Sequence, residues 1–339
     1  MHVAPEPSSE PAERDPNAPP PSVEAARAQR LLPLIAAGLV TMSIGFGFAI
    51  QDGKKRSAAA KLPEFAPVVT TPPNNLSPLA QPTELTYLLD ERTQRHQYRM
   101  FQTSARASGA STFDPVTVIL ETTVERTQQP QGEGLRWTHQ HTEGSVAMAQ
   151  GEVVGPNITQ QLSGLIAKAA AHMDVTARGR VEEVAWTSST NPQTLATFSL
   201  VADAIVTLTP RLRAGRLMQG DTWTYELALP GGAPTRGVEV EGALQVHNTL
   251  LGTTTVDART LIVIEQKLKL RGKGKHAAKE GSPSALFEIE GSGEGVVLFD
   301  REAGAVHRHG VALEQTMTVE SGAEKATQER KIAMETQRL

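Results

Sequence analysis

Residues 236–248 read RGVEVEGALQVHN, and residues 260–272 read TLIVIEQKLKLRG. In the first stretch Val238, Val240, Leu244 and Val246 fall on one face, with Glu239, Glu241, Gln245 and His247 on the other. In the second, Ile262, Ile264, Leu268 and Leu270 alternate with Glu265, Lys267 and Lys269. A period of two is the signature of a strand with one face packed and one in water. The intervening TLLGTTTVDART carries turn residues, so the two runs are expected to form an antiparallel hairpin or adjacent meander strands.

The alternation extends outward from this pair. It returns in PVTVILETTVER (Val116, Val118, Leu120, Val124), in DTWTYELAL (Trp223, Tyr225, Leu227, Leu229) and in HGVALEQTMTVES (Val311, Leu313, Met317, Val319). Strands of about eight to twelve residues favour a long antiparallel curled sheet, an open barrel or a sandwich. Two segments follow helical spacing instead. In GPNITQQLSGLIAKAAAHM, Asn157 stands as a cap and Ile158, Leu162, Leu165, Ile166, Ala169 and Met173 line one stripe. In NPQTLATFSLVADAIVTLTP, Asn191 caps, Pro192 opens, and Leu195, Phe198, Val201, Ala202, Ile205 and Leu208 form the stripe before Pro210 stops it. The expected fold class is α+β and mostly β, with about ten strands and two inserted amphipathic helices whose stripes need the concave face of the sheet.

The N-terminal part has a different composition. Residues 1–30 are crowded with Pro, Glu, Ser and Ala and read as a disordered tail. Residues 31–50, LLPLIAAGLVTMSIGFGFAI, carry no charge over about 30 Å of helix, the expectation for one transmembrane helix acting as a signal anchor. Arg27 and Arg30 precede this run and Lys54, Lys55 and Arg56 follow it, so flanking charge leaves its direction open. Residues 51–82 are rich in Pro and small residues and read as an extended linker, leaving residues 83–339 for a β-rich domain.

The formal net charge of −4 over 339 residues lacks the basic surface of a general nucleic-acid binder, and no nucleic acid is expected as a partner. With no cysteine there is no disulfide, thiolate nucleophile, cysteine zinc site or lipobox anchor. Four of the nine histidines form His-x-His pairs, His139 with His141 and His307 with His309. On a strand each pair projects to one face, and two pairs on neighbouring strands would offer imidazoles to a metal. Ordinary strand histidines near a sheet rim are the simpler reading, and no metal or other cofactor is expected. GSGEGVV (residues 291–297) lies between alternating β residues rather than opening a helix, so its glycines suit a bulge or bend and not a phosphate loop. No serine elbow is present, and no catalytic residue is assigned.

The succession DVTARGRVEEV, TLTPRL, GDTWTYELALP and GEGVVLFDREAGAVHRHGVALEQTMTV resembles a family of uncharacterised bacterial extracytoplasmic β-rich proteins, in which a GD-[ST]-W strand start follows a Pro-bearing segment. A second pattern of that family corresponds to Gly293, Gly295, Phe299, Asp300 and Gly304. The resemblance implies an envelope protein, held in the inner membrane through residues 31–50 with its C-terminal domain in the periplasm, and brings no catalytic residue. The leading expectation is a non-enzymatic domain that binds an envelope protein partner or scaffolds an assembly. A second is a lipid or lipoprotein carrier, its apolar groove lined by Leu162, Ile166, Leu195, Phe198, Val201 and Ile205. A third is a metal-dependent hydrolase using the paired histidines.

Overall fold

The structure is a computed structural model of the chain. It describes residues 62–108, 111–150, 153–154, 160, 163–164, 166–167, 169–186, 201, 204–228, 238–276, 285–321 and 324–339. Fourteen strands are found among them: β1 (Thr83–Glu84), β2 (Gln94–Ser108), β3 (Ser111–Gln131), β4 (Gly134–Gln150), β5 (Val153–Val154), β6 (Ala170–Thr176), β7 (Val181–Trp186), β8 (Arg216–Leu217), β9 (Thr222–Ala228), β10 (Val238–Val256), β11 (Arg259–His276), β12 (Ala285–Asp300), β13 (Ala305–Ser321) and β14 (Glu324–Arg338). Twelve of them make one antiparallel sheet, in the order β7-β6-β4-β3-β2-β14-β13-β12-β11-β10-β9 with β5 beside β4. β1 and β8 form a separate two-stranded ribbon.

The strands are longer than the alternation alone suggests, up to 21 residues in β3. In β10 and β11 the reason is local: the expected turn segment remains strand through Val256, with an irregularity in pairing at Leu250/Gly252. The chain then reverses at Asp257 and Ala258, whose φ angles of 48° and 62° match a two-residue primed hairpin turn. On β12, a Cβ on Gly291 or Gly293 would run into the β13 backbone. These glycines therefore permit a close strand approach, and GSGEGVV lies within a strand.

The sheet is strongly curled. The Tyr87 ring meets Trp137 of β4 edge-on at 5.5 Å and Phe299 of β12 edge-on at 5.6 Å. Measured along the sheet, those two strands are five steps apart, or about 24 Å. Only a trough brings both side chains to one ring. Its inner face holds the main core, including Met100, Leu120, Val146, Ile264, Leu268, Val297, Leu313 and Met334.

The expected pair of inserted helices is corrected. Among the described residues helical backbone occurs at 160, 163–164, 166 and 201 and in one short helix at 204–207; residues 191–200 and 202–203 of the second expected helix lie outside them. The end of the first expected helix is instead β6, with Ala171, Met173 and Val175 buried on alternate positions. Its alanine-rich sequence fits either period, and pairing with β4 on one side and β7 on the other decides for the strand. The expected transmembrane helix, residues 31–50, lies outside the described residues, and among the described residues no helix is long and apolar enough to cross a membrane.

Residues 62–82, part of the segment read as linker, are laid against the sheet. On the outer face Phe65 meets Phe101 of β2 at 5.5 Å, Arg99 donates to the Ala66 carbonyl at 2.8 Å, and Thr70 donates to Glu294 of β12. Ser77 then pairs with Thr253 at the β10 edge. From there the chain turns under the sheet, and Leu85 and Tyr87 enter the core.

Candidate functional site

Inward positions on β2, β3 and β4 change character along the trough. On β3 they run Gln128, Arg126, Val124, Thr122, Leu120 and Val118, all buried. Across from them stand Gln94, His96, Tyr98 and Met100 on β2, and Trp137, His139, His141, Val146 and Met148 on β4. One end of the trough is therefore polar and aromatic, and its middle is apolar.

The polar end centres on Arg126, which is 4% exposed. Its Nη2 donates to Gln94 Oε1 at 2.5 Å, and its guanidinium lies 4.3 Å over the Trp137 ring. Gln94 passes the interaction on: its Nε2 donates to Asp90 Oδ2 at 3.1 Å, while His96 Nε2 donates to its Oε1 at 3.2 Å. Asp90 also receives Arg338 at 3.1 Å and both the backbone and side chain of Arg92. Burial alone would raise the Asp90 carboxyl, but the hydrogen bonds from Arg92 and Gln94 prevail and hold it at about 2. Among the described residues no carboxylate bonds Arg126 directly.

Several polar atoms at this end lack partners among the described residues: Arg126 Nε, Trp137 Nε1 and both ring nitrogens of His139 are buried with none. The His139 ring lies 6.1 Å from Trp137 and 6.4 Å from Tyr98. Burial, then the charge of Arg126, push the His139 imidazole well below its ordinary range, so at neutral pH it carries one N–H and no charge. Each unmet buried donor costs about 1–3 kcal/mol, and a buried cation without an ionic partner costs several more. A core built for stability alone would not collect such groups in one place.

The two histidine pairs are buried but lie on β4 and β13, which β3, β2 and β14 separate. Among the described residues no three His, Cys, Asp or Glu side chains gather around a point where a metal could sit. His309 joins a different network. Its Nε2 faces Gln266 Oε1 at 2.7 Å, its Nδ1 faces the Leu208 carbonyl at 2.9 Å, and Gln266 Nε2 donates to Asn248 Oδ1 at 2.9 Å. This chain ties the short helix to the inner face.

Of the expected groove residues, Ile166, Val201 and Ile205 are buried in the core, at 0%, 1% and 1% exposure. Leu162, Leu195 and Phe198 lie outside the described residues. Sequence reasoning did not single out Arg126, Trp137 or Gln94. The signal was present, since Arg126 holds an inward position in the β3 alternation, where an arginine is out of place.

No family model matches the sequence, and no curated protein is similar to it. Among solved structures the chain is similar to one described as showing lipid–protein interactions in lipovitellin, at 11% identity and a TM-score of 0.40. The match covers 73% of this chain and 25% of that one, so this chain spans about a quarter of that protein's length. A likeness this loose carries neither a function nor a ligand to this chain.

Proposed function

We propose that this chain is a non-enzymatic carrier whose curled sheet holds an apolar chain along its inner face. The observation that supports this is the lining. Inward positions on β2, β3, β4 and β11 to β14 contribute Met100, Leu120, Met148, Leu268, Ile289, Met317 and Ile332 to one apolar cluster on the inner face. The inward run from Arg126 to Val118 spans about 26 Å at strand rise, long enough for an extended acyl chain. Cover comes from residues 85–87, 201 and 204–212, tied to each other by Tyr87 OH donating to the Pro210 carbonyl and to the sheet by the Leu208 carbonyl facing His309.

Of the readings the sequence allows, this lining favours the carrier over a partner-binding scaffold, and the separated histidine pairs weaken the hydrolase. The test is organic extraction and mass spectrometry of natively purified protein, followed by uptake of oleyl alcohol by the stripped protein. The expected result is about one acyl chain per protein and saturable uptake. Protein that is free of lipid and takes up none would overturn the reading.

A further inference from the structure

We infer that the niche around Arg126 is a binding site for an oxyanion head group, a carboxylate or a phosphate ester, borne by the chain that the trough carries. The part of this concerning the apolar chain rests on the carrier reading above; the part concerning the anion does not. Three features of the niche define the ligand.

The niche offers donors. Arg126 Nε and Trp137 Nε1 can only donate, and both are buried and unpartnered. His139, 0% exposed, adds an N–H and can present a lone pair to a protonated head group. A ligand that satisfies this set must accept several hydrogen bonds at once, as an oxyanion does.

The niche also carries a charge that the protein leaves uncompensated. Gln94 receives one guanidinium N–H through a neutral amide, and Asp90, the carboxylate behind it, is occupied by Arg92 and Arg338. A fully buried guanidinium stays protonated, so the shortfall is one negative charge.

Finally, the niche is one end of the apolar run on β2, β3 and β4 rather than an isolated pocket. An amphiphile lying along β3 would set its head against Arg126 and its chain against Leu120 and Val118. Trp137 lies directly beneath the guanidinium and reports on it.

The experiment uses the full-length chain with Trp186→Phe and Trp223→Phe, leaving Trp137 as its one tryptophan. Its emission is titrated with oleate, 1-oleoyl lysophosphatidate, oleyl alcohol and inorganic phosphate. At least one of the two anionic lipids is expected to bind about tenfold or more tightly than the alcohol, the scale of one charged hydrogen-bonded contact. Comparison of those two separates carboxylate from phosphate ester. Arg126→Met removes the charge and is expected to abolish that preference while leaving alcohol uptake intact. Should Arg126→Met not fold, Arg126→Lys keeps the charge, loses the Nε donor and is expected to lose most of the preference.

Equal binding of lipid anions and alcohol, unchanged by either variant, would overturn the head-group site and leave the carrier reading standing. Conversely, phosphate binding that depends on Arg126, with no lipid bound, would uphold the anion site and remove the carrier. No response to any of the four probes overturns both.

Discussion

Buried histidines make the stability of this molecule depend on pH. Burial pushes His141 and His309 down to about 4 from an ordinary 6.5. In the unfolded chain both take a proton near pH 6.5, whereas in the folded chain both stay neutral until about pH 4. The stability they contribute is therefore complete above pH 6.5 and is lost as pH falls towards 4, by up to about 3 kcal/mol per ring. Urea midpoints should fall between pH 7 and pH 5, and His141→Gln should flatten that slope. A midpoint that does not move between pH 7 and 5 would count against neutral buried rings. That His139 and His141 share one face was legible in the period of two. The separation of the two pairs across three strands was not, because periodicity assigns a face and says nothing about neighbours.

Among the elements, alternation identified β3, β9, β10, β11 and β13 correctly because each keeps large apolar residues on one face. It failed at 170–173, where the alanine run satisfies a helical stripe and a strand face equally well, and long-range pairing decided. The Pro-rich composition of 57–82 was equally silent about residues 62–82, which the outer face of the sheet holds in place through dispersed contacts. A Cβ at Gly310 would meet the Val69 carbonyl, so Gly310→Val should push this strap outward. The expected cost is about 1–3 kcal/mol, with faster amide exchange over residues 66–78. Unchanged exchange there would mean that the strap is not seated on β13. The β10–β11 turn allows a gain instead. Ala258 sits at a φ of 62°, where a side chain costs about 1 kcal/mol, so Ala258→Gly should raise the thermal midpoint.

At the scale of the whole molecule, the sheet is two meanders joined at one seam. β2, β3, β4, β6 and β7 pair in chain order, as do β9 to β14, and among the described residues the two halves pair where β14 lies against β2. That seam brings Ala326–Arg338 beside His96–Ser108 in thirteen consecutive Cα pairs. Local alternation can reveal each meander, since hairpins pair near neighbours, but a seam closed across more than two hundred residues leaves no mark in either strand. Closing it carries the largest loop entropy in the fold, so it should form late and govern the folding rate. Deleting residues 324–339 would leave β2 and β13 as long open edges, each with a row of unpaired backbone groups. It would also remove Arg338 from Asp90 and Glu335 from Arg99 and Arg308. The truncated chain is expected to associate through those edges and to lose the tertiary signal of Trp137, which the far half of the sheet reaches through Tyr87 and through the chain Arg338, Asp90, Gln94 and Arg126. Size-exclusion chromatography and near-ultraviolet circular dichroism would show both changes. A monomeric truncation with native tertiary signal would mean that each meander folds alone, and that the trough does not depend on the seam.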